Sequence, residues 1–134
     1  MQNVLRLCAG VVVLSCAATF SAQAADWVPV IQVGNNVREI DTSSIVGTPP
    51  IFVYATRHVF GDLTEYNIGK QGIKYLVISS KADCQRQTTS RLAVDAYDEN
   101  MKMVRKQTIQ NPDEAVVSPD SIEEAVLKQV CQSK

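Results

Sequence analysis

The sequence predicts an α+β domain: an antiparallel β-sheet meander of five or six strands, with one C-terminal α-helix packed on it and disulfide-linked. Three observations carry that reading. Short β-branched and aromatic runs with period-two alternation recur from Asp26 to Gln110, joined by connections too short for crossover helices. The apolar period then lengthens, and Ile122, Ala125, Val126 and Val130 fall on one helical stripe. Cys84 and Cys131 are the only cysteines outside an export-type N-terminal segment, and two such thiols in an oxidising compartment are expected to pair.

Residues 1–24 have the layout of a secretory signal. One positive charge, Arg6, precedes a mostly apolar run from Leu7 to Phe20. Ser21-Ala22-Gln23-Ala24 then supplies the small side chains a signal peptidase needs. The run is shorter than the ~20 residues of a membrane-spanning helix. Val13-Leu14-Ser15-Cys16 is a competing cut site, a loose lipobox in which Cys16 would be lipidated. The preferred reading is a soluble mature chain, a single domain over residues 25–134. Removing residues 1–24 leaves 110 of 134 residues and takes away Arg6, so 12 basic residues face 14 acidic ones. That is one domain's worth of chain, able to bury roughly 65% of its unfolded surface. Its weak acidic balance argues against nucleic acid as a partner.

Asp26–Val33 reads as a first strand at a sheet edge, because Pro29 cannot donate a ladder hydrogen bond. Gly34-Asn35-Asn36 is a turn, and Val37–Asp41 a short second strand. Asp41–Pro50 reads as a loop, rich in side chains that bond their own backbone. Ile51–Phe60 is β-branched and aromatic, hence a strand. Gly61–Gly72 is expected to be a polar, flexible connection. Ile73–Cys84 places Leu76, Ile78, Ala82 and Cys84 on one face, with Lys74 and Ser80 as exceptions. Gln87–Tyr97 places Leu92, Val94 and Ala96 inward and Arg91, Asp95 and Tyr97 outward. Asp98-Glu99-Asn100 turns the chain into Met101–Gln110, an edge strand whose Lys102, Arg105 and Lys106 discourage pairing with other chains.

Ser118-Pro119-Asp120-Ser121 opens the helix, and Asp120 with Glu123 fits a capping box. Glu124 and Lys128 lie on its wet side at i,i+4 spacing. About eleven residues make a marginal helix on their own. Packing on the sheet and a Cys84–Cys131 bond would remedy that. The bond would close 46 intervening residues, worth about 4 kcal/mol in the chain-entropy model.

Catalytic and metal chemistry find little support. His58 is the sole histidine and there is no Cys-x-x-Cys, so a four-ligand zinc site lacks soft donors. No Gly-x-Ser-x-Gly elbow and no glycine-rich phosphate loop occur. Asp95 and Asp98 lie at a hairpin end, where aspartate serves the turn. The expectation is a non-enzyme with no cofactor and no metal.

Trp27, the run Glu39-Ile40-Asp41-Thr42-Ser43-Ser44-Ile45, Asp83-Cys84, Asp95-Ala96-Tyr97-Asp98 and a final helix ending in Cys131 occur in an order that resembles the surface-adhesin protein E family. The similarity runs from about Trp27 to Cys131. It implies a bacterial envelope protein with this sheet, helix and disulfide, and an adhesin that captures host vitronectin and laminin. It also implies a lipid anchor and a homodimer. In that family, matrix binding belongs to a stretch before and around the first cysteine rich in basic residues and tyrosine. The matching positions here are Lys70, Lys74, Tyr75, Lys81, Arg86 and Arg91. The sequence departs from the pattern in having Arg38-Glu39 before Ile-Asp, where an aromatic pair is common, and in a sparser basic stretch. Cations interleaved with tyrosine suit an acidic segment of a host glycoprotein or a sulfated glycan. They equally suit solvated outer positions of two strands.

Two functions from different classes follow. One is an exported surface binding protein that engages host extracellular-matrix glycoproteins. The other is a periplasmic accessory or envelope-maintenance protein that shares only the fold.

Overall fold

The computed structural model describes residues 24–133. The export signal and the candidate lipidation site at Cys16 fall before that range, apart from Ala24. Nine strands and one helix follow in chain order: β1 Trp27–Val33, β2 Asn36–Thr48, β3 Ile51–Val59, β4 Asn67–Ile68, β5 Gln71–Gly72, β6 Tyr75–Asp83, β7 Thr88–Tyr97, β8 Met103–Thr108, β9 Glu114–Val116 and α1 Ile122–Gln132. The main sheet runs β1-β2-β3-β6-β7-β8 and curls as a half-barrel, every pairing antiparallel, with β9 continuing the edge beside the first residues of β7. β4 and β5 form a separate two-stranded ribbon.

The first hairpin turns on Gly34, whose φ of 60° lies in the left-handed region that favours glycine. Strand β2 then runs to Thr48, through the stretch the sequence assigned to a loop. The polar side chains do bond their own backbone, but they bridge a bulge instead of ending the strand. Ser44 Oγ donates to the Asp41 carbonyl at 2.7 Å and accepts from Ala55 N–H at 2.8 Å. Asp41 Oδ1 accepts from the N–H groups of Asp26 and Ser43 at 2.9 and 3.0 Å. The Ser44 bond to Ala55 crosses to β3 where the ladder is interrupted between Asp41 and Val46, after which Val46 pairs with Val53.

One core lies under α1. Ile40, Ile45, Phe52, Tyr54 and Ala82 project from the inner sheet face against Val126, Leu127 and Val130. Cys84 and Cys131 are bonded, with Cα atoms 5.8 Å apart, which pins the helix's last turn to the end of β6. The helix begins one residue later than the sequence suggested. Asp120 has φ 59° and so cannot take the extended conformation of an N-cap. Ser121 takes it, accepting from Glu124 N–H at 3.1 Å, while Glu124 Oε2 accepts from Asp120 N–H at 2.8 Å. Glu124 and Lys128 pair at 3.5 Å as expected from their spacing.

A second, smaller core covers the far end of the same face. The connection expected to be flexible carries the β4–β5 ribbon and packs Ile68 on buried Phe60, Ile73 and Ala96. Ile73 therefore belongs to this excursion, and β6 starts two residues after it. The inner face thus has a cover at each end and an open middle, whereas no element among the described residues covers the outer face.

Candidate functional site

The outer face is organised around Arg57. Cross-strand register puts Glu39 opposite Arg57, Arg57 opposite Val77, and Val59 opposite Tyr75. The guanidinium lies 4.5 Å from the Trp27 ring centroid and 5.2 Å from that of Tyr75. Its Nε and Nη2 both reach Glu39 Oε2, at 2.7 and 2.6 Å. Arg57 and Glu39 are only 18% and 17% exposed, so this pair is partly desolvated and its geometry is held. The result is a flat, preordered stack of indole, guanidinium and phenol, with Tyr97 paired beside Tyr75. Such groups present large contact area at low entropic cost.

Further along the same face, Lys81 and Arg86 border a shallow depression of about 190 Å³ with Ile51, Asp83 and Glu114. Arg86 is matched by Glu114 at 3.1 Å. Lys81 has no ion pair among the described residues, and exposed Val46, Ile51 and Val53 flank it.

The six positions singled out in the sequence are therefore dispersed. Tyr75 and Lys81 share the outer face, and Arg86 stands at its rim. Lys70 is exposed in the turn between β4 and β5. Lys74 donates from Nζ to the Phe60 carbonyl at 2.6 Å, a structural role. Arg91 corrects the sequence reading, which put it outward. Ser79 pairs with Ala93 but Ser80 with Arg91, leaving Leu92 as a bulge that reverses the alternation. Arg91 consequently opens onto the inner face.

There it meets a cleft of about 260 Å³ between α1 and the sheet, whose walls include Arg38, Tyr54, Thr56, Ser80 and Thr89. Arg38 Nη2 lies 3.5 Å from His58 Nδ1, and that ring stacks on Phe60 at 4.3 Å between centroids. Arg38 Nε and His58 Nε2 are buried and have no hydrogen-bond partner among the described residues. Burial pushes the Arg38 guanidinium below its ordinary value; Glu123 opposes the shift and Arg91 adds to it. Burial, then the Arg38 charge, likewise lower His58. Burial raises the Tyr54 hydroxyl. Among the described residues no group of three or more His, Cys, Asp or Glu side chains could hold a metal ion.

The sequence reading missed Trp27, Glu39, Arg57 and Arg38 as site residues. Trp27 and Glu39 stood out only among the residues that carry the family resemblance, and Arg38, with Glu39, as a departure from its pattern. What joins Trp27, Glu39, Arg57 and Tyr75 is register across four strands, which no local window displays.

The model of the surface-adhesin protein E family matches residues 27–132. The chain belongs to that family. Crystal form II of Haemophilus influenzae protein E superposes with a TM-score of 0.59 at 16% identity, covering 78% of this chain and 86% of that one. Protein E from non-typeable Haemophilus influenzae gives 0.56 at 15% identity, covering 98% and 85%. These likenesses show the shared fold. No curated protein matches the chain. Membership of the surface-adhesin protein E family, together with the fold, points to a non-enzymatic surface protein. No helix among the described residues is long and apolar enough to cross a membrane.

Proposed function

We propose that this member of the surface-adhesin protein E family is an exported, adhesin-like binding module whose partner is a host extracellular-matrix glycoprotein such as vitronectin or laminin. The observation that carries the reading is the uncovered outer face of the sheet, with Trp27, Arg57 and Tyr75 held in one stack. A rigid aromatic and guanidinium surface is the composition of a binding hot spot. Lys81, with no ion pair among the described residues, adds a cation further along the face, able to meet an acidic segment of a glycoprotein. Of the other cations singled out in the sequence, Arg86 is the second contributor, at the rim.

Retention of the purified protein on immobilised vitronectin and laminin at rising salt tests the reading. Binding that weakens with salt is the expected result, and no binding at low salt would sink it.

A periplasmic accessory role is favoured by a different observation: of the cations singled out in the sequence, Arg86 is matched by Glu114 and Lys74 bonds a carbonyl, so Lys81 alone stands on the outer face without an ion pair among the described residues. Protease treatment of whole cells separates the two, since a surface protein is cut while the outer membrane is intact. Intact-mass measurement decides the fate of Cys16, because acylation adds fatty chains and cleavage after Ala24 removes that cysteine.

A further inference from the structure

The inner cleft lies on the opposite side of the sheet from the proposed docking face, and its chemistry differs. Arg38 and Arg91 both line it, and neither guanidinium has a carboxylate within 4.0 Å among the described residues. Two like charges facing one cleft, with Arg38 partly buried, repel each other unless an anion joins them. Arg38 is also short of acceptors: its Nη2 lies 3.5 Å from a histidine nitrogen and its Nε has no hydrogen-bond partner among the described residues. The hydroxyls of Tyr54, Thr56, Ser80 and Thr89 supply further donors around the same space.

We propose that this cleft is a binding site for a small anionic ligand, its carboxylate, sulfate or phosphate group held between Arg38 and Arg91. Guanidinium forks match the planar spread of such oxygens and form short, charge-assisted hydrogen bonds. Ile78, Ile122 and Val126 give the ligand's body an apolar wall. The volume of about 260 Å³ is at the small end for ligand pockets, which restricts the occupant to a compact molecule. Asp113 and Glu123 also line the cleft. Their negative charge repels polyanions, so the site selects a singly or doubly charged group over a sulfated glycan or nucleic acid. The simpler alternative is a water-filled cleft in which Glu123 balances Arg38 from a distance.

Nitrogen-15 NMR titration of the purified, disulfide-intact protein separates the two. Sodium acetate, sulfate and phosphate are each added against sodium chloride at constant ionic strength, following the Arg38 and Arg91 side-chain Nε–H signals and the Ser80 and Thr89 amides. Saturable shifts confined to these signals with at least one oxyanion are the expected result, and the tightest of the three identifies the headgroup. Arg91→Ala should weaken that binding about tenfold, the loss of one charge-assisted contact. Glu123→Gln should tighten it, and Arg86→Ala, on the outer face, should leave it unchanged. Shifts that never saturate, that chloride reproduces, or that survive Arg91→Ala overturn the proposal. Arg91 is exposed, so its truncation leaves the core intact and the comparison valid.

Discussion

At the residue scale, the environment of His58 ties the inner face to pH. Its ring is stacked on Phe60 and faces the Arg38 guanidinium, and the Glu65 charge opposes that of Arg38. Burial first, then Arg38, lowers the folded-state value below the ordinary 6.5. Between the two values the unfolded chain binds more protons than the folded one, so stability rises with pH there. Stability is therefore complete above about 6.5 and declines as pH falls through the folded value. Urea midpoints measured from pH 7.5 down to 5.0 should fall in the native protein and stay flatter in His58→Gln. Equal slopes would show that His58 is not the titrating group. At this scale the sequence was legible for roles that depend on near neighbours. Asp98, assigned to a turn, accepts from the N–H groups of Asn100 and Lys102 at 2.9 Å each. Arg57 was not legible, because its partners Trp27 and Glu39 come from two other segments.

At the element scale, period and composition located the long strands and the helix, since both signals are local. The errors came where polar side chains complete the backbone across a gap. Asp41, Ser43 and Ser44 have the chemistry of a loop, yet the bonds they make carry β2 across a bulge. Gly47 follows in that strand with φ 135°, and a Cβ there would run into the Ile51 carbonyl oxygen. One displaced residue also decided the site: the bulge at Leu92 sends Arg91 to the inner face, and alternation alone cannot show a bulge. The helix start carries its own prediction. Ser121→Ala removes the cap on Glu124 N–H and should cost about 1 kcal/mol, read as a lower denaturant midpoint with unchanged slope. Asp120→Ala should not act through the cap, because Asp120 stands one residue outside it.

At the scale of the whole molecule, the disulfide and the two covers explain each other. The helix contributes three buried side chains, Val126, Leu127 and Val130, and is only 11 residues long. Its position over Phe52 and Tyr54 is maintained by packing and by the Cys84–Cys131 bond, whose members are 47 positions apart. Chain entropy puts the bond at about 4 kcal/mol, a large share of a typical domain's 5–15 kcal/mol. The Cys84→Ser, Cys131→Ser double variant should lose roughly that much in urea unfolding. A loss below about 1 kcal/mol would mean that packing alone holds the helix. With the inner face partly covered, the outer face is left to meet partners.

The functional account rests on which face does so. Binding to immobilised vitronectin and laminin should be compared for the native protein, an outer-face variant carrying Tyr75→Ser with Lys81→Glu, and the inner-face variant Arg91→Ala. A loss of about tenfold or more in the outer-face variant, with Arg91→Ala unchanged, is the expected result. Native-strength binding by the outer-face variant, with its fold verified by circular dichroism, would contradict the account.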